Sequence, residues 1–221
     1  EDADLYKLVF NLQTGGNWNE GRRHKTNIPH LTKDFAMLSR EFSLTEQKFM
    51  NRLDIIRKKL FTIREERVHP QKDDKILTDW NGLMIAAMAR AGAVLNNEEY
   101  AQSAVNAMEF LLNNLQNKDG SLLKRYRRGN AGLTGVLDDY AFTIWALIEL
   151  YHLRYDEKYI EIAMELSEYQ IDQFWDFDNH GFFFTATSGE KLLVRSKEVY
   201  DGAIPSGNSV SAYNFIRLAR M

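Results

Sequence analysis

The residues best suited to chemistry in this sequence fall in three short polar clusters: DDKILTDWNG at residues 73–82, LDDY at residues 137–140 and DGAIPSGNS at residues 201–209. Carboxylates dominate them, with Asp74 and Asp79 in the first cluster and the adjacent pair Asp138 and Asp139 in the second. Neighbouring carboxyls can divide into a general acid and a general base when burial or mutual repulsion raises the pKa of one of them. Each set stands beside an aromatic ring, Trp80 or Tyr140. That pairing suits a sugar, whose hydroxyls donate to the acids while its C–H face packs on the ring. Asn81, Ser206 and Asn208 add neutral donors and acceptors, so a small, sugar-like molecule is the expected ligand. Taken singly, Asp79, Asp138 and Ser206 also have an ordinary explanation as helix N-caps.

Histidine offers a rival chemistry. His69 precedes the first cluster and His180 opens a later loop, and either could shuttle protons near neutral pH. Arg127, Arg128 and Arg195 could meet an acidic group on a ligand, although solvated charge is an equal reading of them. There is no HExxH or comparably spaced ligand set, and the Gly15-Gly16 and Ser206-Gly207-Asn208 stretches match neither a P-loop nor a dinucleotide fingerprint. Neither a metal nor a cofactor is expected.

The elements that must position these clusters are set by a repeat. Residues 79–115 and 138–174 align without a gap, Tyr100 meeting Tyr159 and Ala104 meeting Ala163. Each copy reads as two helices around a polar turn, with Asn97 and Asp156 as N-caps of the second helix. The first helices are apolar nearly all round, whereas the helix from Tyr100 carries one stripe, Ala104, Met108, Leu111 and Leu115, opposite Gln102, Glu109 and Asn113. Inner helices thus alternate with outer ones, and a third copy begins near Ser206. The expected fold is mainly all-α: part of an (α/α)6 toroid of helical hairpins, in one partial domain over residues 1–221, with short β-hairpins in the loops between repeats, near Gly120 and from His180. Parallel inner helices place all three clusters on one rim. Upstream, Ser43 and Glu46 form a capping-box pattern ahead of a helix running to about Arg67, with shorter helices over residues 2–10 and 32–42.

Composition narrows the partners. The 221 residues carry a net charge of −3, leaving no basic excess for nucleic acid outside short runs at residues 22–25 and 124–128. No apolar run is long enough to span a membrane, no signal peptide is evident, and the lack of cysteine fits a cytoplasmic setting. The first residue is Glu1 and the last, Met221, falls inside a helical pattern, so both ends read as cuts through a longer chain. A partial ring of this kind is expected to self-associate through its uncovered inner-helix surface.

The clusters also carry a family likeness. Arg67-Val68-His69-Pro70, DDKILTDWNGLM at 73–84, DDYA at 138–141 and DGAIPSGNSV at 201–210, together with GGNW at 15–18, resemble the C-terminal half of the YyaL/spermatogenesis-associated protein 20 family of thioredoxin-domain-containing proteins. The resemblance implies a six-hairpin glycosidase-like toroid, akin in architecture to N-acylglucosamine 2-epimerases and cellobiose epimerases, preceded by a thioredoxin-like domain and first hairpins that lie outside this sequence. One departure is the longer, more basic stretch at residues 19–27. Three readings of function follow: a carbohydrate-binding or carbohydrate-active rim in which Asp74, Asp79, Asp138 and Asp139 serve as acid, base or hydroxyl-binding groups; isomerase chemistry through His69 or His180; and a non-catalytic scaffold for protein partners.

Overall fold

A computed structural model describes residues 1–18 and 25–221, so most of the basic run at 22–25, with His24, lies outside the described residues. Contacts divide the chain into two units, Glu1–Lys72 and Asp73–Met221.

In the first unit, α1 (Asp2–Val9), α2 (Phe35–Glu41) and α3 (Glu46–Glu65) close on Leu5, Val9, Leu38, Phe49, Leu53 and Ile56. The capping box expected from Ser43 does not form. Ser43 takes a left-handed φ of 55° in the turn, and Thr45 caps α3 instead by accepting from the Lys48 N–H. Asp34 caps α2 in the same way.

The second unit is built from the repeat. Its elements are β1 (Ile76–Leu77), α4 (Thr78–Leu95), α5 (Glu98–Leu115), β2 (Leu123–Arg127), β3 (Asn130–Thr134), α6 (Leu137–Arg154), α7 (Lys158–Phe174) and α8 (Gly207–Leu218). The inner helices α4, α6 and α8 form a row with α6 in the middle, while α5 and α7 pack behind α4 and α6. Helix α6 is apolar on nearly every side and is buried along most of its length. Helix α5 buries only Ala101, Ala104, Met108, Leu111 and Leu115, with Gln102, Glu109 and Asn113 in solvent, as its single stripe requires. Asn97 caps α5 through the Tyr100 N–H. Asp156 lies one residue further out than a cap and accepts from the Lys158 N–H instead.

The connection after α5 folds as the expected hairpin, β2 pairing antiparallel with β3 on one side and β1 on the other. The connection after α7 differs. In place of a ladder it has one isolated bridge, Trp175 to Phe182, and the Arg195 guanidinium takes up the carbonyls of Thr185 and Gln173. The Phe184 N–H bond to the Ser196 carbonyl and the side-chain bonds of Arg195 close this loop where a strand ladder was expected.

Candidate active site at the inner-helix rim

The starts of α4 and α6 are tied together by two carboxyl groups and a lysine. Asp79 stands in the first turn of α4 and Asp139 in the first turn of α6, and both are buried. Neither is an N-cap, since Leu77 and Val136 hold those positions. Asp139 Oδ1 accepts the Asp79 N–H at 3.0 Å, and its Oδ2 accepts the Val136 N–H at 2.8 Å. Lys124, carried in by β2, sets its ammonium 2.6 Å from Asp79 Oδ2 and 3.2 Å from Asp139 Oδ1. The hairpin cannot drift from this position, because Leu123 gives its carbonyl to the Thr78 hydroxyl and Leu122 its N–H to the Tyr140 hydroxyl. Burial opposes the Lys124 charge, but Asp139 and Asp79 outweigh it and hold its pKa above the ordinary lysine value. Burial pushes Asp139 up to about 7, against the pull of Lys124 and the Val136 N–H.

Asp138, one residue earlier, is half-buried. The N–H of Gly207, at the start of α8, donates to it, and a Cβ at position 207 would lie 2.4 Å from its Oδ1. Only glycine therefore lets the α8 N-terminus approach this carboxyl. Burial raises Asp138 to about 6, helped by Asp79 and Glu198 and opposed by Lys124 and the Gly207 N–H. Ser206 caps α8 through the Ser209 N–H and is itself held by Asp201, which accepts from its N–H at 2.9 Å. Asn208 clips the preceding loop, accepting from the Phe182 N–H and donating to the Phe182 and Glu198 carbonyls. Ser206 and Asn208 are thus committed to shaping the rim.

The other sequence-selected residues scatter. Tyr140 is not a platform: it is 1% exposed, stacked on Tyr169, with its hydroxyl spent on Leu122. Tyr140→Phe is expected to cost about 1–2 kcal/mol in a urea melt by leaving that buried N–H without its acceptor. Trp80 is 62% exposed. The repeat aligns it with Asp139, so the face of α4 that it occupies corresponds to a buried one on α6. Asn81 donates to the Leu77 carbonyl. Asp74 is exposed and ion-paired with Arg127 and Arg128 at the hairpin end, away from the buried carboxylates, and its pairing with Arg127 holds its pKa below the usual range. Arg195 lies over the Phe183 ring, bound to backbone carbonyls rather than free for a ligand. His180 is exposed beside Trp175, with a left-handed φ of 60°. His69 belongs to the first unit, where its ring meets the Glu65 carbonyl. Sequence reasoning overlooked Lys124, Gly207 and Glu198. Among the described residues, no three acidic or histidine side chains are arranged to hold a metal ion.

No family model matches the chain. Curated relatives do. Spermatogenesis-associated protein 20 of Rattus norvegicus is 33% identical over 98% of this chain and 29% of its own length. The protein of that name from Homo sapiens is 32% identical over 90% of this chain and 27% of its own. The chain spans less than a third of the length of these relatives. Among solved structures, the cellobiose 2-epimerase of Bacillus thermoamylovorans B4167 superposes with a TM-score of 0.57 at 18% identity, covering 69% of this chain and 41% of that one. A family 105 glycoside hydrolase from C. acetobutylicum ATCC 824 gives 0.52 at 16% identity, covering 85% and 56%. These neighbours are (α/α)6 toroids, and the helical-hairpin fold here is of that kind.

Proposed function

Because this chain belongs to the spermatogenesis-associated protein 20 family and folds as part of a glycosidase-like toroid, we propose that its inner-helix rim binds a carbohydrate-like ligand and moves a proton through Asp138. The carrying observation is the division of labour among three neighbouring carboxyls. Asp79 and Asp139 are buried and consumed by Lys124 and backbone N–H groups, whereas Asp138 is only half-buried and takes a single backbone N–H, from Gly207. An acid or base whose pKa lies close to the working pH transfers protons most efficiently, which fits the value of about 6. Convergence of these groups on one rim supports an enzyme over a scaffold, for which isolated, solvent-facing carboxylates would suffice. The structural neighbours named as an epimerase and a glycoside hydrolase support the substrate class through fold alone.

Calorimetry and turnover assays on the full-length protein, across neutral mono- and disaccharides, test this reading. Wild type is expected to bind at least one of them, and Asp138→Asn to keep binding while losing about 100-fold or more of turnover. Turnover should fall below about pH 6 if the carboxyl acts as base, and above it if it acts as acid. Silence across the panel, or an Asp138→Asn protein with unchanged turnover, sinks the proposal.

A further inference from the structure

We propose that Lys124 is the positioning residue of this rim: its ammonium, delivered by the β2–β3 hairpin, locks the starts of α4 and α6 together through Asp79 and Asp139 and governs how readily Asp138 exchanges its proton. The inference rests on Asp138 being the proton-transferring carboxyl of the reading above.

Geometry carries it. Lys124 bridges two buried carboxylates from successive inner helices, and the segment that holds it is fastened at Leu122 and Leu123 to Tyr140 of α6 and Thr78 of α4. The ammonium is therefore placed by the same two helices that it joins. The groups near enough to act on Asp138 are Lys124 from β2, Asp79 from α4, Glu198 from the loop before α8, and the Gly207 N–H. Among these the sole cation is Lys124, set against two acids, Asp79 and Glu198. The guanidinium groups of Arg127 and Arg128, further along the hairpin, are engaged with Asp74 and give no second cation at this point. A neutral side chain at position 124 thus removes the main group favouring ionised Asp138 and leaves the groups that oppose it.

The test is a carboxyl-carbon NMR titration of the full chain, with the Asp138 signal assigned by its loss in Asp138→Asn. In wild type the midpoint should fall near 6. In Lys124→Met it should rise by at least about one pH unit, a tenfold change in proton affinity. Lys124→Arg, which keeps the charge, should return it to near the wild-type midpoint. Lys124→Gln serves as a second neutral variant should the methionine protein fail to fold, and should show the same upward shift. A midpoint that stays at the wild-type value in the folded neutral variant, or one that rises equally in Lys124→Arg, overturns the role of Lys124. No sugar enters the measurement, so the two ideas fail separately. An intact shift in a protein that binds no carbohydrate removes the ligand reading alone, and an unchanged midpoint in a protein that does bind one removes the Lys124 assignment alone.

Discussion

Asp139→Ala is expected to destabilise the protein by about 3–5 kcal/mol, the range for removing one partner of a buried, hydrogen-bonded ion pair. The substitution deletes the acceptor of the Val136 N–H at the start of α6 and of the Asp79 N–H in the first turn of α4, and it takes from Lys124 one of its two counter-charges. A buried N–H left without an acceptor costs about 1–3 kcal/mol, so the two orphaned donors alone account for most of that loss. Asp139→Asn should cost less, because an amide oxygen can still serve one donor. It also isolates the proton linkage. The folded-state pKa of Asp139 is raised by burial from 3.8 to about 7, so the stability tied to its protonation is fully present below 3.8 and disappears as pH rises through 7. Wild type should therefore lose stability relative to Asp139→Asn between about pH 4 and 7, and the difference should level off above that. Asp138, common to both proteins, cancels to first order. Urea unfolding of the two proteins at a series of pH values reads this directly. A stability difference that is flat from pH 4 to 8 would mean that Asp139 stays ionised throughout, its three donors overriding burial.

The position of Asp139 also shows where sequence reasoning stops. The gap-free repeat reveals the inner and outer helices because apolar spacing at 3.6 residues per turn reports directly on which faces are buried, and α4 to α7 occupy those spans. The same period explains the misplacement of Tyr140. Successive residues of a helix point about 100° apart, so Asp138, Asp139 and Tyr140 cannot all face one ligand. The first is half-exposed and the other two are buried. Lys124 was illegible for a different reason. Within KRYRR it looks like any solvated charge, and only the register of β2 against Leu77 at the α4 start brings it to two carboxylates far away in sequence. The loop from His180 carries strand-forming runs, Phe182 to Phe184 and Leu192 to Val194, yet the Arg195 guanidinium takes the Thr185 carbonyl. Local pattern does not record that long-range competition.

The second large effect should come from a residue with no side chain. Gly82→Ala is expected to destabilise the second unit by up to about 2 kcal/mol net, even though alanine improves the helix propensity of α4 by about 1 kcal/mol. A Cβ at position 82 would lie 2.8 Å from the Phe142 carbonyl carbon and 2.9 Å from its oxygen. These are backbone atoms of α6 and cannot swing aside, so α4 and α6 must separate, and overpacking of that kind costs about 1–3 kcal/mol. The repeat aligns Gly82 with Ala141, which is fully buried at the start of α6. A methyl group is thus accepted where α6 meets α8 and refused where α4 meets α6, so the need for glycine belongs to one interface and not to the helix itself. Gly82 is one turn beyond Asp79, and any separation there pulls the Asp79 carboxylate from Lys124 and its N–H from Asp139. The variant should therefore lose rim order together with stability, seen as a shifted Asp138 titration midpoint alongside a lower thermal midpoint. Gly132→Ala is the matched control, since nothing lies within 4 Å of a Cβ at that site in β3. If Gly82→Ala melts at or above the temperature of the Gly132→Ala protein, the close approach of α4 to α6 is not what holds the two carboxylates over a single ammonium.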